Sequence, residues 1–137
     1  MRAWAVLLVS SAIFLISIAV LMNYLDYLSA VKHETNRWAV IKDINGDMMA
    51  VEPTNDDVWS ELVQMNQNGT RTWVGGKVER YGNKWGFRFS PDTVIVAEVV
   101  AEGLQATIEF ISSDIEYWEN LDWAYVSSKV VEINSQL

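Results

Sequence analysis

The chain opens on an unbroken apolar run. From Ala3 to Met22, AWAVLLVSSAIFLISIAVLM carries no charge, and Ser10, Ser11 and Ser17 are its only polar side chains. At about 1.5 Å of rise per residue, such a helix matches a hydrocarbon core of about 30 Å. A cleaved signal peptide has an apolar core of only about 7–15 residues, followed by a small-residue cleavage site. Here the run is longer, and the boundary NYLDYLSA offers a poor site around Leu28–Ala30. The pattern therefore predicts a retained membrane-spanning helix. Trp4 at one end, and Tyr24 and Tyr27 at the other, suit the interfacial belts. Residues 1–32 form the anchor and juxtamembrane segment, and 33–137 a separate domain.

Beyond the anchor the periodicity changes. RWAVIKD (37–43) and DMMAVEP (47–53) read as two strands around Asn45-Gly46, a dipeptide that tolerates positive φ and marks hairpins. PTNDDVWSELVQMNQNG reads as a helix. Thr54 or Asn55 caps it, Asp56 and Asp57 sit at its positive end, and Gly69 stops it. Val58, Trp59, Leu62, Val63 and Met65 form its apolar stripe. The run WVGGKVERYGNKWGFRFSPDTV alternates cleanly and predicts a second hairpin with Gly82-Asn83 as its two-residue loop. That register sets Val78 against Phe87 and Gly76 against Phe89, with Val78, Trp85, Phe87 and Phe89 on the buried face. The glycines at 75 and 76 lead into a strand, where a bulge or a bulky neighbour removes side chains. A phosphate loop would lead into a helix instead. VIVAEVV (94–100) is β-branched and predicts a central strand. Leu104, Ile108, Ile111, Ile115 and Trp118 predict one helix from Gly103 to about Asn120, loosened at Ser112-Ser113. A last strand runs from Lys129 to Ile133 or beyond. The order β-β-α-β-β-β-α-β predicts an α+β domain: an antiparallel sheet with two helices on one face.

Charge and composition remove several functions. From His33 onward 17 acidic residues face 8 basic ones, which disfavours nucleic acid and anionic lipid as partners. There is no cysteine, so disulfides, thiolate catalysis and zinc–thiolate sites are excluded. The single histidine, His33, lies beside the anchor and has no second histidine to share a metal or serve a serine nucleophile. Asp43, Asn45 and Asp47 echo the start of a calcium loop, but its twelfth position is Thr54 in place of Glu. Asp114, Glu116, Glu119 and Asp122 form an acidic run, which reads as a solvated face. Trp118, Trp123 and Tyr125 are candidate interaction residues, with core packing as their other reading. Asn68-Gly69-Thr70 is a glycosylation sequon, so Asn68 favours an extracytoplasmic domain.

Gly76, Val78, Tyr81, Trp85, Phe87, Pro91 and Val94 follow the pattern G-x-V, Y-x-x-x-W-x-F-x-x-x-P-x-x-[IV]. Ser127, Ser128, Val131 and Glu132 supply a late second element. In these residues the chain, over roughly 37–133, resembles the N-terminal domain of a social-amoeba calmodulin-binding protein family. The resemblance implies an opening hairpin followed by a helix, and no catalytic residues. Calmodulin binding is tied to none of the matched positions. The expectation is a single-pass, non-catalytic binding domain without cofactor, outside the cytoplasm. It would be an accessory or structural subunit working with an integral membrane partner. The alternatives are a pilin-like filament subunit, for which Arg2-Ala3 before the apolar helix stands as a leader, and a calcium-binding or weakly enzymatic module.

Overall fold

The computed structural model describes residues 2–136. It is an α+β structure: an N-terminal apolar helix, then an antiparallel sheet carrying further helices. Helix α1 (Arg2–Ala30) runs straight into the domain. Strands β1 (Arg37–Lys42) and β2 (Met48–Val51), helix α2 (Asp56–Asn68), and strands β3 (Arg71–Arg80) and β4 (Phe87–Phe89) follow. Next come two short strands, β5 (Ile95–Ala97) and β6 (Gln105–Ala106), each preceded by a single 3-10 turn. Helices α3 (Ile108–Ser113) and α4 (Ile115–Leu121) and strand β7 (Trp123–Ser135) complete the chain.

The sheet order is β2-β1-β7-β3-β4, with β5 also on the outer edge of β3 and β6 parallel to β7. The thirteen-residue β7 is central. Its buried side is built mostly of small residues, Ala124, Val126, Ser128 and Val130. A bulge shifts its pairing with β1 between Val40 and Ile41, which leaves Val131 exposed while Val130 and Ile133 join the same core. The sheet coils until its ends approach: Trp85 Nε1 donates to the Met48 carbonyl at 2.8 Å. All three short helices turn their apolar sides into one cluster with Ile41, Met49, Val74, Val78, Phe87 and Phe89.

Helix α2 starts as its caps dictate. Asn55 Oδ1 accepts from the backbone N–H groups of Asp57 and Val58, and Gly69 closes the helix at φ +65°. The second hairpin keeps the expected faces but differs in register by two residues. Val78 pairs with Phe89, and Arg80 with Phe87. The loop spans 81–86, because Asn83 folds back on it: Oδ1 accepts from Trp85 and Gly86 N–H, and Nδ2 donates to the Phe87 carbonyl. The positive φ falls on Gly86. A two-residue slip preserves which side chains point inward, so the pattern of alternation could not distinguish the registers.

Two other expectations are corrected. VIVAEVV is an edge, not a central strand. Only Ile95–Ala97 pair, with β3, and Val99 is 89% exposed. The helix expected over 103–120 begins only at Ile108, since Gly103–Ala106 belong to a 3-10 turn and β6, and it is broken into α3 and α4. Ser113 Oγ bonds back to the Phe110 carbonyl, and Asp114, at φ −151°, leaves helical geometry to cap α4 through the Tyr117 N–H.

Candidate functional site

The most heavily bonded polar region is the junction where α1 meets the sheet. Ala30 and Val31 are buried against Trp38, Val40 and Ala50 on the opposite face of the sheet from the short helices. Tyr27 and Met48 flank this second cluster. The expected boundary at residue 32 thus follows directly on two buried residues. Around the apolar contact lies a ring of polar ones. Tyr27 donates its hydroxyl to the Glu132 carboxylate. Lys84 reaches α1 twice, with its Nζ on Asp26 at 2.6 Å and its backbone N–H on the Ser29 carbonyl at 3.2 Å. Lys32 returns the contact through the Gly82 carbonyl at 2.9 Å.

The connection from α1 to β1 is held just as firmly. Glu52 is 3% exposed. Its Oε1 accepts from the Glu34 N–H, the Thr35 N–H and the Thr35 hydroxyl at 2.7, 2.8 and 3.0 Å. Its Oε2 accepts from Arg88 at 3.2 Å. A buried carboxylate is costly unless paired and hydrogen-bonded, and here both oxygens are satisfied. Arg88 also reaches Glu79 at 2.7 Å and Glu34 at 3.3 Å, and lies over the Tyr81 ring. Burial works against the Arg88 charge, but the Glu79 hydrogen bond and the carboxylates outweigh it and hold the guanidinium above its ordinary pKa. Burial, then Glu34 and Glu52, push the Tyr81 hydroxyl up. His33 stacks on Trp38 with ring centroids 3.4 Å apart. Residues 31–36 are thus held to the sheet by hydrogen bonds and a stacked ring, although Lys32, Glu34 and Asn36 face solvent.

The residues singled out in the sequence scatter. Asp43 is 2% exposed and serves the backbone. Its Oδ1 accepts from Asn45 and Asp47 N–H, and its Oδ2 from Ile108 N–H, each at 3.0 Å. Asn45 is exposed, and burial together with Asp43 and Glu109 raises the Asp47 pKa. Among the described residues, no group of three His, Asp or Glu is placed to hold a metal ion. Trp118 separates from its expected partners: it is 2% exposed in the core, because α4 turns it inward. Trp123 and Tyr125 are half-buried on the other face of β7, their rings 6.5 Å apart. Asn68 is exposed at the end of α2, on the rim of a groove of about 450 Å³ beside β5. Glu52 and Arg88 carried no sequence signal, since their pairing joins strands at opposite ends of the sheet. Tyr27 did carry one, but as an interfacial residue.

No family model matches the chain, and no curated protein or solved structure matches it.

Proposed function

We propose that the protein is a single-pass membrane subunit whose domain, on the extracytoplasmic side, binds a larger membrane protein complex without catalysing a reaction. The observation that supports this reading best is the junction. The helix over Ala3–Ala30 is long and apolar enough to cross a membrane, and its last turn is part of the fold of the domain. Cleavage near Leu28–Ala30 would strip Ala30 from the Trp38–Val40–Ala50 cluster and Tyr27 from Glu132, which favours retention of the helix. A partner in the same bilayer gains from tethering, because anchoring raises the effective concentration of both. The acidic surface and the exposed sequon at Asn68 favour the extracytoplasmic side. The test is native purification in several mild detergents with mass spectrometry of what co-purifies. An integral membrane partner is expected, lost when residues 1–22 are deleted. A full-length protein that runs alone in every detergent would overturn the reading.

A further inference from the structure

Between Arg88 and Lys129 the chain has no Lys, Arg or His, but eight carboxylates. Glu119 and Asp122 borrow cations from β3, namely Arg80 at 2.8 Å and Lys77 at 3.8 Å. Among the described residues, Glu109, Asp114 and Glu116 form no ion pair. On the same surface two aromatic rings stay in water: Phe110 is 60% and Tyr117 52% exposed. Both stand nearly perpendicular to the Trp118 ring, at 75° and 89°, with centroids 6.1 and 5.3 Å from it. Together with Ser113 and Asp114 the three rings line an open notch of about 410 Å³. Asp114 uses Oδ1 to cap the Tyr117 N–H, and Oδ2 has no partner among the described residues.

We propose that this notch receives a cationic side chain of a protein partner, arginine by preference, between the Phe110 and Tyr117 rings with Asp114 as its counter-ion. The proposal rests on the reading of the domain as a binding module and names the chemistry of what it binds. The faces of aromatic rings carry negative potential and attract a cation placed over them. Arg80 and Lys77 offset Glu119 and Asp122, but Glu109, Asp114 and Glu116 keep the local field negative, so a positive group gains from Glu109 and Glu116 as it approaches. Guanidinium fits better than ammonium: it is planar, stacks on rings and forks onto a carboxylate. A choline headgroup shares the cation but brings a phosphate beside it, which the same carboxylates repel.

The test uses full-length protein in a maltoside detergent, which lacks choline. A fluorescent peptide of alternating arginine and glycine is titrated against the same peptide with glutamate for arginine. Only the arginine peptide is expected to bind. Phe110→Ala and Tyr117→Ala are each expected to weaken it about two- to fivefold, the range of an exposed cation–π contact. Asp114→Asn, which keeps the capping oxygen, is expected to weaken it comparably. Glu98→Gln and Glu102→Gln remove the same charge elsewhere and should leave binding unchanged. An equal loss from these two controls, or no loss from the aromatic variants, overturns the proposal. So does notch-dependent binding to phosphatidylcholine vesicles. Undiminished co-purification of the membrane partner with all three notch variants removes the notch from that interface and leaves the subunit reading standing. A full-length protein that purifies alone removes the subunit reading, while the peptide titration still decides the notch.

Discussion

Asp43 and Glu52 each replace a piece of backbone pairing with a side chain. Asp43 ties the β1–β2 loop to α3, 65 positions along the chain. Asp43→Ala takes the acceptor from three N–H groups, of which that of Ile108 is buried, and a buried orphan costs about 1–3 kcal/mol. The variant should lose about 1–3 kcal/mol in urea unfolding, and Asp43→Asn, which keeps one acceptor, should lose less. The turn itself was legible in Asp-x-Asn-Gly-Asp. Its resemblance to a calcium loop has the same physical root, because side chains that can ligate an ion can also accept from a tight turn. The reach to Ile108 was not legible, since no local pattern encodes it. Apolar positions were clearer. Phe87 is fully buried, so Phe87→Ala should cost about 3–5 kcal/mol, against less than about 0.5 kcal/mol for the exposed Lys77→Ala. Equal effects would mean the faces are reversed. Gly76 lies against Phe89 as expected, whereas the bulky neighbour of Gly75 lies in β7. A Cβ on Gly75 would lie 2.2 Å from the Ala124 carbonyl and 2.6 Å from the Tyr125 ring, so its neighbour across the sheet in β7 excludes a side chain.

At the scale of elements, helix α2 and the first hairpin follow their local signals and the second hairpin keeps its faces but not its loop or register, while β5, β7 and the α3–α4 pair do not follow theirs. A run of valines says only that a segment prefers extended backbone; its place in the sheet depends on strands far away. β7 was underestimated because half its inward residues are small, and it gains its central position from β1 and β3 on either side. The contact between α1 and β7 yields a pH prediction. The Tyr27 hydrogen bond holds Glu132 below the usual carboxylate range. A carboxylate depressed in the folded state stabilises it above the unfolded pKa, and that stabilisation is lost as pH falls through the lower folded value. The Lys84 N–H, bonded to the Ser29 carbonyl, reports the junction. Its hydrogen-exchange protection factor should be flat from neutral pH down to the ordinary glutamate range and drop below it. In Tyr27→Phe the neutral-pH value should already be lower and the acid-induced drop smaller. Identical profiles for the two proteins would remove Glu132 from the junction.

For the whole molecule, the sequence revealed the two parts, their class and the apolar helix, but divided them too sharply. Deleting residues 1–22 leaves Tyr27, Ala30 and Val31 in place and should preserve the unfolding midpoint of the domain. Deleting 1–32 uncovers Trp38, Val40 and Ala50 and should lower stability by about 2–3 kcal/mol, read from urea unfolding. Equal midpoints would show that the last turn of α1 contributes nothing. The same seam has a mechanical consequence. The apolar stretch Ala3–Met22 measures about 30 Å and matches a hydrocarbon layer of ordinary thickness, so a bilayer of shorter lipids is too thin for it. A long span answers a thin bilayer by leaning. A hinge would absorb that lean, whereas the contacts at this junction are expected to carry it into the sheet, as a lever carries its handle. With α1 across a bilayer, the attitude of the domain then gauges the thickness of the membrane beneath it. A spin label on exposed Lys129 should change its depth relative to the lipid surface as acyl chains are shortened. A Gly-Gly-Ser insertion after Val31 should abolish the change, and a depth insensitive to chain length in the intact protein would show that the lever does not act.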